Sequence, residues 1–270
     1  VTRLSALLWE RPRRTAILAL AIAAGMVFIG VLTLALPAGS PAAVLLLDHH
    51  AIPPPGYPFI YPFTVQNLTH LILFIGLGEV FCRWRSAVRE HAMLAEGLLP
   101  QAYEVVLQSH DLPAIRARVA DRHDGEQGFL PGLVDLCILQ FQASRSVDQT
   151  VSVLNSSLEL MAHRVDLRYS MLRYLVWLIP TVGFIGTVIG IALALAMIDP
   201  SAETQPLGDI ARALGVSFYT TLVALVESAI LVLLLHLVQA REELAVNQAG
   251  HYTLVNLINR LYAGRSTRFR

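Results

Sequence analysis

A chain of 270 residues, 55% of them apolar and only 15% charged, carries too little polar surface for a water-soluble globule, and its positive mean hydropathy agrees. Acids and bases balance at 20 each, which argues against nucleic-acid binding and against a polybasic membrane skin. Every base is arginine and no lysine occurs, so lysine-dependent phosphate, Schiff-base and kinase chemistry is excluded; neither an enzyme nor a bound cofactor is expected.

In chain order, residues 1–14 form a cytoplasmic N-terminal segment carrying Arg3, Arg11, Arg13 and Arg14. A bilayer core of about 30 Å needs about 20 mostly apolar residues per helix. Residues 15–36 meet that length, and they are too long, and lack the small-residue cleavage pattern, for a simple signal peptide. An outer loop, 37–61, leads to a second span at 62–81, which opens among Tyr61 and Phe63 and closes on Cys82-Arg83-Trp84-Arg85. Residues 82–171 are polar, helically patterned and read as a cytoplasmic domain. From Leu133 no proline or glycine intervenes before Pro180, so one helix of about 100 Å is expected to climb into the third span. That span covers 172–198, a short outer loop 199–209, the fourth span 210–238, and an amphipathic cytoplasmic tail 239–270 with Leu254, Leu257, Ile258 and Leu261 at helical spacing. The tail is expected to pack on the cytoplasmic rod.

Arginines flank the inner ends of the spans, and the segments 37–61 and 199–209 contain none, so both ends of the chain are expected in the cytoplasm; Arg212 alone breaks the rule. Cys82 and Cys137 lack metal-site spacing and read as packing residues.

Gly183, Thr187, Gly190 and Ala194 recur at intervals of four, three and four on the third span, a small-residue stripe on which another helix can approach closely. On the fourth span Ser217, Thr221, Ala224 and Ser228 share a face, with Thr220 and Glu227 on the adjoining row. Two readings of these faces stand: tight helix packing with hydroxyls bonded to backbone, or a shared polar passage. Glu227 favours the passage, because an acid inside a span costs about 3 kcal/mol on insertion scales and normally faces a cavity or a partner. Glu79 lies near the inner end of its span and is expected to reach the interface or pair with Arg83. His70 and His236 read as packed or interfacial histidines, and His110, His123 and His163 as surface residues. Asp48, His49 and His50 in the outer loop offer zinc-type donors but no further ligand at a recognised spacing, so a solvated loop is the default there.

The run from Pro180 to Gly190, P-x-x-G-x-x-G-T-V-x-G with Gly183 and Gly186, resembles the MotA/TolQ/ExbB proton channel family, as do the Ile210-Ala211-Arg212-Ala213-Leu214 segment and the hydroxyl-rich last span. The resemblance implies an all-α integral membrane protein of the bacterial inner membrane with four transmembrane helices and a helical cytoplasmic domain, assembling as a homopentamer around a central pore. It implies a partner too: two copies of a single-span protein resembling MotB, TolR or ExbD, supplying the essential aspartate while protons, or sodium ions, pass and drive mechanical work. Thr187 then matches the pore threonine of the third span; the fourth-span hydroxyl falls on Ser217, or on Thr220 and Thr221 with a one-residue shift. Arg212 replaces the glutamate of ExbB-like members. The rival reading is a non-conducting oligomeric scaffold.

Overall fold

The computed structural model describes residues 2–100, 106–120, 128–198 and 206–262, with the backbone alone for residues 2–13. Its helices are α1 (Thr2–Ala35), α2 (Pro41–Leu47), α3 (Val65–Ala95), α4 (Leu112–Ala120), α5 (Phe129–Ser144), α6 (Val147–Arg168), α7 (Ser170–Ala196) and α8 (Leu207–Asn256), followed by a 3-10 turn, Ile258–Arg260. Among the described residues, extended pairing is confined to one isolated bridge, Leu107 with Leu261. Four helical stretches, beginning at Arg14, Val65, Val147 and Leu207, are long and apolar enough to cross a bilayer. The described residues are thus organised in helices, and the chain is a multi-pass membrane protein.

The chain divides into two compact units. The membrane unit comprises Pro12–Phe81 and Ser170–His236. Its helices meet through residues without bulk, as expected where lipid supplies no hydrophobic drive for association. A methyl group added at Gly78 would stand 2.8 Å from Ala21 Cβ of α1, and one at Gly76 2.6 Å from Leu231 of α8. Glu79 accepts hydrogen bonds from Arg14 of α1, the Nε bond being 3.0 Å. Large apolar side chains such as Leu20, Leu34, Trp177, Phe184 and Phe218 point outward, toward lipid or another chain.

The other unit comprises Val1–Arg11, Cys82–Tyr169 and Leu237–Arg270. Its core is the α5 face Leu130, Leu133, Val134, Cys137, Ile138 and Phe141, spaced for one side of a helix and packed with α4 and α6. Burial pushes the Cys137 thiol up to about 12, the chemistry of an inert packing residue. The chain after α8 is pinned by Leu107 N–H to Arg260 O at 2.8 Å and by the Arg260 guanidinium to Pro100 O at 2.6 Å.

The unbroken helix expected from Leu133 to Ile198 does not form. Arg145 adopts a left-handed conformation, φ 53° and ψ 25°, with its N–H on Phe141 O, and Ser146 caps α6 by accepting from the Gln149 N–H. The Ser-x-x-Gln spacing is a helix-start signal that outweighs the absence of proline and glycine. A second interruption follows at Tyr169. Conversely, the fourth span and the tail are one helix, since α8 runs to Asn256 without a break at Val238. The tail does pack on α6: the 3-10 turn contacts that helix, and Gly250 lies so close that an added methyl would meet Leu158 at 2.6 Å. Residues 199–205 of the second outer loop, and His123 within the turn-rich segment, lie outside the described residues.

Candidate functional site

The site grows from α7 and α8. Gly183, Gly186, Gly190 and Ala194 are buried along one face of α7, and each glycine meets α8 at a distance that excludes any side chain. An added Cβ would stand 2.4 Å from Ala224 Cβ at Gly183, 2.8 Å from Thr220 at Gly186 and 2.2 Å from Ser217 Oγ at Gly190. The small stripe therefore closes on α8, with Gly186 on the buried row and Thr187 at its margin.

Hydroxyls in this interface bond to backbone carbonyls. Ser217, with no exposure, donates to Ala213 O at 3.1 Å, and Thr220 donates to Ser217 O at 2.9 Å. Pro180 has no N–H to offer the Val176 carbonyl one turn back. Ser228 of α8 donates to that carbonyl at 3.0 Å, so proline and serine, on different helices, solve one another's hydrogen-bond problem.

Thr187 and Thr221 differ from these sealed hydroxyls. Both are half-buried, and their Oγ1 atoms bond directly to one another across the helix pair. Thr187 Oγ1 also lies 2.8 Å from Ser217 O, and Thr221 Oγ1 3.2 Å from Gly183 O. Each hydroxyl has one proton and two lone pairs; two protons serve three contacts, so one hydroxyl donates to the other while the second proton goes to a carbonyl, and the lone pairs left over keep acceptor capacity for an approaching donor. Of the fourth-span candidates, Thr221 is the one that meets Thr187 side chain to side chain.

Glu227 does not join this hydroxyl pair. It is buried, and its Oε1 bonds to His70 Nδ1 on α3, while His70 Nε2 donates to the Leu46 carbonyl at 2.8 Å. The histidine, read from sequence as packed or interfacial, is the ionisable partner of the membrane acid. Arg212 is exposed and lies 3.4 Å from Asp209.

In the outer loop Asp48 accepts from His50 Nε2 at 2.8 Å and from the Tyr57 hydroxyl. Burial first, and then the Asp48 carboxylate, push the Tyr57 phenol well above its usual value. The His49 ring stacks on Tyr61 with centroids 4.1 Å apart. Asp48 is buried and bonded to His50 and Tyr57, whereas His49 Nδ1 is buried without a partner among the described residues, so these residues do not form the solvated loop expected; among the described residues no three histidine, cysteine or carboxylate side chains gather to hold a metal ion.

Fold and site together define a polytopic helical membrane protein with a hydroxyl pair at the margin of its α7/α8 interface. Residues 128–249, a little under half of the chain, match the MotA/TolQ/ExbB proton channel family. The match points to a proton-channel-type membrane function. It takes in α5 and α6 as well as the motif-bearing α7 and most of α8, whereas His70 and Glu79 of α3 lie outside it. No curated protein matches the chain.

Proposed function

We propose that the chain is the pore-forming stator subunit of a proton-driven membrane motor in a bacterial inner membrane, with both ends cytoplasmic. In this reading five copies surround two copies of a single-span partner of the MotB, TolR or ExbD kind. The observation that carries it is the Thr187–Thr221 pair, half-buried and mutually bonded within the family-matched segment. Next to a partner's carboxyl group, the pair accepts the acid proton as a hydrogen bond and offers water a foothold in an otherwise apolar wall. That eases protonation and release of the carboxylate. Each proton falling through the membrane potential is worth about 2.3 kcal/mol per 100 mV, so several together bias a conformational step.

Thr187→Val keeps the shape and removes the hydroxyl. In proteoliposomes containing the partner, proton flux is expected to fall to the level of empty vesicles while the oligomer stays intact. Flux retained in Thr187→Val removes this residue from the mechanism. The second reading, a non-conducting scaffold, is favoured by the glycines closing on α8 and by the carbonyl-bonded hydroxyls. An intact wild-type assembly that passes no protons with the partner present would select it.

A further inference from the structure

Three observations meet at the contact between α3 and α8. His70 and Glu227, 4% and 5% exposed, bond through Nδ1 and Oε1. The other imidazole nitrogen, Nε2, is 2.8 Å from the Leu46 carbonyl. The other carboxyl oxygen, Glu227 Oε2, is buried and finds no hydrogen-bond partner among the described residues, and neither do the amide atoms of Gln66, one turn before His70 and wholly buried. A span interior punishes unpaired polar atoms, so a histidine, an acid and an amide gathered there call for a polar guest.

Proton counting fixes what the pair holds. A peptide carbonyl only accepts, so Nε2 must carry a hydrogen to bond Leu46 O. Nδ1 and Oε1 face one another, and their bond needs a single proton between them. That proton sits on the carboxyl group beside a neutral ring, or on the ring beside a carboxylate; both arrangements are neutral overall, which is the cheapest charge state in an apolar wall. With no proton there, the Nδ1 lone pair would face a carboxylate. Among the described residues, α1 presents the Phe28 ring to His70 with centroids 5.5 Å apart, and Asp48 of the outer loop is taken by His50 and Tyr57.

We propose that His70 and Glu227 form a proton-binding site within the membrane, holding one proton between Nδ1 and Oε1 while Glu227 Oε2 accepts a hydrogen bond from a water molecule. Glu227 lies six residues past Thr221 on α8 and about 120° around it, so the site is separate from the Thr187–Thr221 pair. It stands without ion passage there, so the two readings fail separately.

The test is magic-angle-spinning NMR on the full chain, labelled at histidine and glutamate and reconstituted in phosphatidylethanolamine/phosphatidylglycerol vesicles; His70 is assigned by its loss in His70→Gln. A shared proton places the Nδ1 resonance between the values of protonated and bare imidazole nitrogen, with Nε2 protonated. Glu227→Gln offers a hydrogen bond but no proton to share, and moves Nδ1 to the bare-acceptor value. Transfer of magnetisation from water is expected to reach the Glu227 carboxyl carbon. If Glu227→Gln does not assemble, His70→Gln reads the same site from the other side, through a displaced Glu227 carboxyl resonance. An ionised Glu227 carboxyl beside a bare Nδ1, a proton absent from Nε2, or a Glu227 resonance indifferent to His70→Gln overturns the proton site. A carboxyl carbon out of reach of water overturns the water ligand.

Discussion

The two edges of α8 solve opposite problems. Toward α7 the helix presents Ser217, Thr220 and Ala224 against glycines, and its hydroxyls find carbonyls, so that edge is closed and polar-satisfied. Toward α3 it presents Glu227 to His70, with one carboxyl oxygen that finds no partner among the described residues. Close packing needs small residues and brings carbonyls within reach of hydroxyls; an ionisable pair needs room and a neutralising partner. One helix can hold a fixed wall on one side and chemistry on the other because Glu227, two turns past Thr220 on the same row, lies to one side of the row of Ser217, Ala224 and Ser228.

The largest break in this comparison is expected at the ionisable edge. His70→Leu leaves Glu227 buried without its partner, and Glu227→Leu does the reverse; either is expected to cost about 3–5 kcal/mol. The double replacement removes both polar groups and is expected to cost far less than the sum. A double-mutant cycle on detergent-solubilised protein reads this coupling, and additive losses would show that the pair does not act as a unit.

A buried acid past the apolar stretch of α3 sharpens the contrast, because among the described residues its hydrogen-bond partner is a backbone N–H. Glu90 lies on α3 about two turns past Arg83, beyond the apolar part of the helix; it is buried and accepts from Phe129 N–H at 2.9 Å. Burial raises its carboxyl from 4.5 to about 7. Between those values the folded chain keeps a proton that the unfolded chain has lost, so stability is expected to fall as pH rises from about 4.5 to 7, by up to about 3 kcal/mol from this group, and then to level off. Glu90→Gln keeps an acceptor for Phe129 and should flatten that slope. The check is the rate at which a thiol reagent reaches buried Cys137, measured across this pH range with Cys82→Ser as background. An unchanged slope in Glu90→Gln would assign the pH dependence elsewhere.

The four spans were legible because bilayer thickness imposes a length that few sequences meet by accident. So was the small stripe of α7, since Gly183, Gly190 and Ala194 announce close approach whatever they approach. What they meet was not legible: a stripe looks the same whether it faces a pore or a neighbouring helix, and Gly186 was needed to rotate the buried row away from Thr187. His70 and Glu227 are 157 residues apart, and pairing over that distance is decided by which helices touch. A signal did exist in the requirement that a membrane acid find a partner, and His70 was a titratable residue in another span. The break at Arg145 is also written in the chain, in the cap spacing of Ser146 and Gln149, although the lack of proline and glycine there favours an unbroken helix.

The closed edge can be broken more gently, and here the comparison becomes internal to one residue type. Gly190→Val forces its Cβ into Ser217 Oγ, and the carbonyl of Ala213 stands at 2.9 Å behind it. Serine can rotate, but helix backbone cannot retreat without parting α7 from α8. A loss of about 1–3 kcal/mol is expected, seen as a lower thermal midpoint of the solubilised protein. Gly30 of α1 has nothing within 4 Å of the same added atom. There alanine only restricts the unfolded chain and removes a glycine from a helix interior, for a gain of at most about 1 kcal/mol. The pair separates the two meanings of a membrane glycine. If Gly190→Val melts no lower than wild type, α7 and α8 are not held at the spacing that the Thr187–Thr221 bond requires, and the hydroxyl pair loses its support; if Gly30→Ala destabilises, that face of α1 meets another chain instead of lipid.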